Sequence, residues 1–172
     1  MLKEFFIICL TIISLNFIVP AQDNSWLEKL KKIKPLESTE KDVEEFLGKP
    51  QKRYADIGEY EIEEGIISIN YSEGRCTSAS ASEFDLDKGT VISFNFTPGK
   101  TIRFSSLGLD LTSLSKEVIT DVADSQQYYD EEKGISYSVH RGILNFVEFS
   151  GGKDAIASPC SEVKQEEILD PQ

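Results

Sequence analysis

Two runs of alternating polar and apolar residues, at 59–63 and 67–71, constrain the fold of this chain more than any other feature of its sequence. Tyr60 and Ile62 stand between glutamates in the first arm, and apolar residues fill every second position of the second arm. Because successive side chains of a strand point to opposite sides, each arm is typical of a β-strand with one apolar side. Glu64-Gly65 permits a tight reversal between them. The segment predicts an antiparallel hairpin whose apolar side must be covered by other parts of the chain.

A second segment of the same kind covers residues 137–149, with its turn at His140-Arg141-Gly142. The two hairpins can be superposed in sequence without a gap. The matched positions include Tyr60 with Tyr137, Ile62 with Val139, and Gly65 with Gly142. This match indicates an internal duplication with related halves at about 26–76 and 112–160. The alternative is that any two amphipathic hairpins look alike.

Two short helices are predicted before the first hairpin. The first covers about residues 26–33, where Trp26, Leu30 and Ile33 form one apolar stripe and Pro35 ends the helix. The second begins after Ser38 or Thr39, either of which can cap it, and ends at Gly48. Its apolar side consists of Val43, Phe46 and Leu47. A helix of this length is marginal alone, so we expect this side to pack on the sheet.

Further strands are predicted at Thr90–Phe96 and Thr101–Phe104. The segment 107–124 is ambiguous, because its apolar residues fit a helical stripe while its β-branched residues suit a strand. We expect a short helix near 112–117 followed by extended chain. Together these elements predict an α+β fold, with short N-terminal helices packed on an antiparallel sheet.

The segment 1–21 is typical of a secretory signal peptide. Lys3 precedes an almost continuous apolar run from Phe5 to Val19, and Val19-Pro20-Ala21 suits a cleavage site. The alternative is a membrane anchor, but the run is shorter than the roughly 20 residues that span a bilayer. We therefore expect a secreted, periplasmic or cell-envelope protein without a stable membrane span after cleavage. Its domain would cover residues 22–160, and 161–172 would form an acidic flexible tail.

The formal net charge of −12 argues against binding to nucleic acid or anionic lipid. It favours solubility or a basic partner. Outside the signal-like segment the cysteines are Cys76 and Cys160, and in an exported protein such a pair predicts a disulfide.

The pattern Thr39-x-x-x-Val43-x-x-x-Leu47-Gly48-x-Pro50, leading into a sheet, resembles the SmpA/OmlA type of outer-membrane assembly domain. The chain is also similar to the tandem repeats of the β-lactamase inhibitory proteins, which are secreted and acidic, and to small uncharacterised secreted bacterial proteins. These resemblances imply an envelope adaptor or a secreted inhibitor. Two features depart from them: there is no lipid-attachment motif, and there is one possible disulfide rather than one within each repeat.

Few residues of this chain suggest catalysis. His140 is the one histidine, and we expect it in an exposed turn rather than as a general base. The acidic segments 85–89 and 130–134 lack the alternating ligands and terminal glutamate of an EF-hand loop. No motif for a nucleophilic serine, a phosphate loop or a dinucleotide is present. We predict no catalytic residues, no metal site and no cofactor.

Tyrosines are the best candidates for a recognition surface, because they offer a large contact area for little conformational entropy. Five of them fall on or beside predicted strands: Tyr54, Tyr60, Tyr128, Tyr129 and Tyr137. We predict a non-enzymatic, exported protein-binding or adaptor module that presents one side of its sheet. Two alternatives stay open, a secreted inhibitor of a hydrolase and a small hydrolase that uses carboxylates.

Overall fold

The computed structural model of this protein describes residues 25–76, 84–119, 122–153, 155 and 160. The predicted signal peptide and acidic tail lie outside these residues. Two α-helices come first, α1 (Ser25–Leu30) and α2 (Glu40–Leu47). The strands are β1 (Lys52–Tyr54), β2 (Ile57–Ile62), β3 (Gly65–Tyr71), β4 (Val91–Pro98), β5 (Ser115–Val118), β6 (Ser125–Asp130), β7 (Ile135–His140) and β8 (Ile143–Phe149).

All eight strands form one antiparallel sheet in the order β1-β2-β3-β4-β8-β7-β6-β5. The predicted antiparallel sheet is thus confirmed. Each half of the order is a meander of four consecutive strands, and β4 pairs with β8 where the meanders meet. If one meander is superposed on the other strand by strand, β3 falls on β7. The sequence match of Tyr60 with Tyr137 instead places β2 on β7. The duplication therefore stays a prediction.

Both predicted hairpins are present, as β2–β3 and β7–β8. Gly65 is required at the first turn because a Cβ atom there would lie 2.2 Å from the carbonyl oxygen of Thr97 on the neighbouring strand. At the second turn Arg141 and Gly142 both have positive φ angles, 50° and 74°. Glycine adopts this backbone region without steric cost, which explains its place at the turn.

Capping residues next to helix α2 determine where it begins and ends. The hydroxyl of Thr39 accepts a hydrogen bond from the backbone N–H of Asp42, and the Asp42 carboxylate accepts one from the N–H of Thr39. Val43 is buried, but Phe46 is 40% exposed and lies below the ammonium of Lys32 at 5.7 Å. The expectation that Phe46 packs in the core is therefore wrong, because only the Val43 side of the helix faces the sheet.

Helix α1 ends at Leu30, earlier than the predicted Ile33. The N–H of Ile33 bonds to the carbonyl of Leu30, three residues back, so the chain tightens into a turn before Pro35. Ile33 nevertheless stays buried. The apolar stripe thus predicted burial correctly and helix length incorrectly.

The segment from 101 to 118 differs most from the expectation. Instead of a strand at Thr101–Phe104, one isolated bridge joins Arg103 to Ile143 and a 3-10 helix occupies Phe104–Leu107. Instead of a helix near 112–117, a 3-10 turn at Leu111–Ser113 leads into β5. Apolar spacing predicted the wrong element here, because pairing with β6 holds these residues in a strand.

Both helices and the segment from Ile102 to Leu107 pack on one side of the sheet, which we call the covered face. Its strand residues are Tyr60, Ile67, Ile69, Phe94, Phe96, Ile135, Tyr137, Val139, Leu144, Val147 and Phe149, all buried. The Trp26 ring of α1 contacts Phe96, with ring centroids 4.4 Å apart. Phe94 and Phe149 stack at 4.3 Å where β4 meets β8. One continuous core therefore spans both meanders.

Cys76 and Cys160 are paired as a disulfide, with Cα atoms 5.3 Å apart. Cys76 follows β3 and Cys160 follows β8. These two strands flank β4 and run in the same direction, so their C-terminal ends lie on the same side of the sheet. The bond thus bridges the junction between the two meanders. Among the described helices none is both long and apolar enough to cross a bilayer.

Candidate binding face

The side of the sheet opposite α1 and α2, which we call the open face, carries a polar side chain on each of the eight strands. The strand registers align one residue from each strand in a single row, because paired residues of neighbouring strands lie side by side on the same face. This polar row consists of Lys52, Glu59, Ser68, Asn95, Glu148, Ser136, Tyr129 and Ser115. Every member of the row can donate or accept a hydrogen bond. An antiparallel sheet with one solvated face has this composition.

Hydrogen bonds across the strands fix several side chains of the open face. The Tyr129 hydroxyl donates to Oε2 of Glu117 at 3.1 Å, and the Ser136 hydroxyl to Oε2 of Glu148 at 3.4 Å. At the other end of the row, Lys52 Nζ lies 3.1 Å from Oε2 of Glu59. These bonds hold the carboxylates of Glu59, Glu117 and Glu148 in defined orientations.

Tyr129 is the aromatic centre of the β5–β8 half of the open face. Partial burial, the hydrogen bond to Glu117 and the negative charges of Glu117 and Glu148 together raise the pKa of its hydroxyl. The hydroxyl therefore stays protonated and serves as a donor at neutral pH. Both carboxylates lie close enough to this one phenol to act on its pKa.

A cleft of about 450 Å³ opens beside Tyr129 at the end of the β6–β7 hairpin. Ser136 and Glu148 line it from the sheet, and Gly151, Gly152 and Lys153 line it from the segment that follows β8. The cleft extends the open face from a flat surface into a recess.

The opposite half of the open face carries exposed apolar side chains. Tyr54 is 56% exposed, and Ile57, its partner across the β1–β2 pair, is also exposed. Ile66 is exposed on β3. A polar centre with aromatic and aliphatic side chains at its margin is compatible with contact to a protein surface.

The structure divides the five predicted tyrosines. Tyr54 and Tyr129 lie on the open face, as described above. Tyr60 and Tyr137 are each only 1% exposed, so their interpretation as partner-binding residues is corrected: they belong to the core. Tyr128 also lies on the covered face, where its ring packs on Phe104 with centroids 4.6 Å apart. Alternation decides this, since Tyr128 pairs with Tyr137 across β6 and β7 and shares its face.

His140 lies at the end of β7 rather than in the turn, and it is half-buried. Its Nδ1 atom is 2.9 Å from the Ser125 hydroxyl. No carboxylate hydrogen-bonds to this ring among the residues that the structure describes, so the pair lacks the third group that orients a catalytic histidine.

The two acidic segments make contacts with other protein groups. Asp130 accepts from the ammonium of Lys133 in its own turn at 2.6 Å, and Asp85 accepts the backbone N–H of Cys76, outside its segment, at 3.0 Å. Within the described ranges, no group of three or more histidine, cysteine or acidic side chains could hold a metal ion.

One polar cluster on the covered face is absent from the sequence-based predictions. The guanidinium of Arg53 forms an ion pair with Glu40 at the start of α2 and lies over the Tyr71 ring at 5.2 Å. Beneath it, the hydroxyls of Tyr60 and Tyr71 share a hydrogen bond of 2.7 Å. Burial is the main cause of the raised pKa of both phenols, and each phenol therefore stays neutral. The two hydrogen-bonded pairs, Arg53 with Glu40 and Tyr60 with Tyr71, are 13 and 11 positions apart, so no local motif reveals the cluster.

Comparisons with known proteins give no relative for this fold. No protein-family model, no curated protein and no solved structure matches the chain.

Proposed function

We propose that this protein is an exported, non-enzymatic binding or adaptor module that contacts a protein partner through the open face of its sheet. The single observation that carries the proposal is the polar row. Eight strands present a continuous, partly pre-oriented set of donors and acceptors, while the opposite face is occupied by the core. A face of this extent, with exposed Tyr54 at one end and a cleft beside Tyr129 at the other, suits a macromolecule better than a small substrate.

Export is supported by the signal-like segment 1–21 and by the pairing of Cys76 with Cys160. A disulfide persists in the oxidising compartments that exported proteins enter. Two related halves are part of the same proposal, and the sequence match between the hairpins β2–β3 and β7–β8 supports them. A duplicated module of this kind would present a face twice as wide as that of a single hairpin pair.

The test uses Asn95→Arg, because Asn95 is exposed near the middle of the polar row. The matched control is Ser105→Arg, which places the same charge on an exposed residue of the 3-10 helix away from the open face. Tagged protein is incubated with envelope and secreted fractions, and co-purified proteins are quantified by mass spectrometry. An identified partner is then titrated calorimetrically against each variant.

We expect Asn95→Arg to raise the Kd for the partner about tenfold or more, because burial of an unpaired arginine at the centre of an interface costs binding free energy. Ser105→Arg should leave the Kd within about twofold of the unmodified protein, because rim and remote charges change affinity little. Equal loss in both variants, or no loss in either, would remove the open face from the proposal. Assays of the captured partner, if it is a hydrolase, decide whether binding also inhibits it.

A further inference from the structure

The strand residues of the open face carry an excess of negative charge. Four strand carboxylates lie on the open face, those of Glu59, Glu61, Glu117 and Glu148. Among the strand residues described, Lys52 is the one cation of this face, and its ammonium is paired with Glu59. The face therefore keeps an excess of three negative charges at neutral pH, by this count of strand residues.

The other cations of the described strands lie on the covered face. Arg53 is held by Glu40 and the Tyr71 ring, and Lys116 lies over the Tyr128 ring at 5.5 Å. Both belong to the covered face, as their strand partners Gly58 and Tyr128 show. Three lysines of α1 and the turn after it are paired with glutamates, Lys29 with Glu64, Lys31 with Glu28 and Lys34 with Glu37. The strand cations other than Lys52 thus lie on the covered face, while Lys153 of the segment after β8 lines the cleft of the open face.

The unneutralised charge is concentrated on the β5–β8 half. Glu117 and Glu148 form no ion pair with a lysine or arginine of the described residues. Glu117 accepts a hydrogen bond from the Tyr129 hydroxyl, and Glu148 stands two strands from Tyr129 in the polar row. This hydroxyl donates its single proton to Glu117, so the lone pairs of its oxygen remain acceptors. The region therefore offers acceptors, an aromatic ring and negative charge, which are the groups that an ammonium or guanidinium binds.

We infer that the partner presents a basic protein surface to this half of the open face, with lysine or arginine side chains placed against Glu117, Tyr129 and Glu148. This inference rests on the proposed function, because it names the chemistry of the partner for the same face. Charge complementarity of this kind raises the rate of association and excludes acidic partners. The other occupants of a polar face, such as a glycan, would not require the negative charge.

The test uses the purified protein and a nine-residue peptide of alternating lysine and serine as the probe, with a glutamate–serine peptide of the same length for comparison. Binding is followed by backbone amide shifts and by calorimetry. The variant Glu117→Gln/Glu148→Gln removes two charges from the face, while the glutamine oxygen can still accept the Tyr129 proton. The control Glu63→Gln/Glu73→Gln removes two charges from exposed residues in the β2–β3 turn and the loop after β3.

We expect the lysine peptide to shift amides of β5–β8, and the face variant to weaken its Kd at least about fivefold while the control weakens it less than about twofold. Equal weakening by both variants, shifts confined to other surfaces, binding of the glutamate peptide with equal affinity, or no binding at about 1 mM peptide would overturn the inference. These results are separable from the proposed function. If Asn95→Arg abolishes capture of a natural partner and the face variant does not, the open face still binds a protein, but one that is not basic.

Discussion

The core of this protein contains polar groups whose hydrogen bonds depend on single side chains. The hydroxyls of Tyr60 and Tyr71 lie inside the covered face and satisfy each other at 2.7 Å. Gly58 makes room for them, because a Cβ atom there would lie 3.0 Å from the Tyr60 ring. A buried phenol with a partner costs little, whereas one that has lost its partner keeps the full cost of its desolvation. The pair is therefore strongly coupled.

We expect Tyr71→Phe to lower the free energy of unfolding by about 1–3 kcal/mol, because Tyr60 then loses its hydrogen bond. Tyr60→Phe should cause a similar loss, because it leaves the Tyr71 hydroxyl without its partner. The double variant should cost clearly less than the sum of the two, which urea denaturation of all four proteins measures. Additive losses would show that the two hydroxyls act independently.

The short elements differ in how far local residues determine them. Helix α2 was predictable, since Thr39, Asp42 and Gly48 mark its start and its end. The hairpins β2–β3 and β7–β8 were also predictable from alternation and turn residues. By contrast, β1, β5 and β6 are polar or exposed strands, and pairing with a neighbour rather than their own sequence keeps them extended.

The same difference explains the candidate site. Alternation predicted that one side of the sheet would remain free, but the polar row depends on seven strand registers that no local pattern contains. Tyr54 and Tyr129 reached the open face, and Tyr60, Tyr128 and Tyr137 did not. The composition of an amphipathic strand does not show on which face of the sheet a tyrosine lies. The pairing register with the neighbouring strand determines the face.

Helix α2 supplies a test of which side faces the sheet. Val43 is 1% exposed, so Val43→Ala should lower the free energy of unfolding by about 1–3 kcal/mol through lost burial and a residual cavity. Phe46→Ala should cost less than about 1 kcal/mol, because the ring is already partly solvated. Guanidinium denaturation of the two variants gives the comparison. A larger loss for Phe46→Ala would mean that the helix turns its other side to the core.

At the scale of the whole molecule, two meanders of four strands share one core and meet at β4 and β8. The register there contains three residue pairs, Phe94–Phe149, Asn95–Glu148 and Phe96–Val147. The junction is thus shorter than the β2–β3, β3–β4 and β7–β8 pairings, which contain six or seven residue pairs each. The Cys76–Cys160 pair lies at the edge of this same junction and adds a covalent connection between the halves.

Reduction of the Cys76–Cys160 bond should lower the melting temperature. The chain-entropy model assigns a closed loop of this length up to about 4.5 kcal/mol of stabilisation. Calorimetry with and without reductant measures the effect, and the variant Cys76→Ala/Cys160→Ala serves as the control because reductant should not change its melting. Identical melting of the unmodified protein in both conditions would show that the bond is not formed or does not constrain the chain.

The position of the disulfide also determines how the protein bears mechanical load. With the bond closed, residues 76 and 160 are the ends of a covalent ring that contains β4 to β8. Tension applied to the two termini would pass from one cysteine to the other through the sulfurs, so the strands inside the ring would carry none of it. The helices and β1–β3 would therefore bear the pull, whereas the β5–β8 half of the open face, with Glu117, Tyr129 and Glu148, would be shielded from it by the covalent ring.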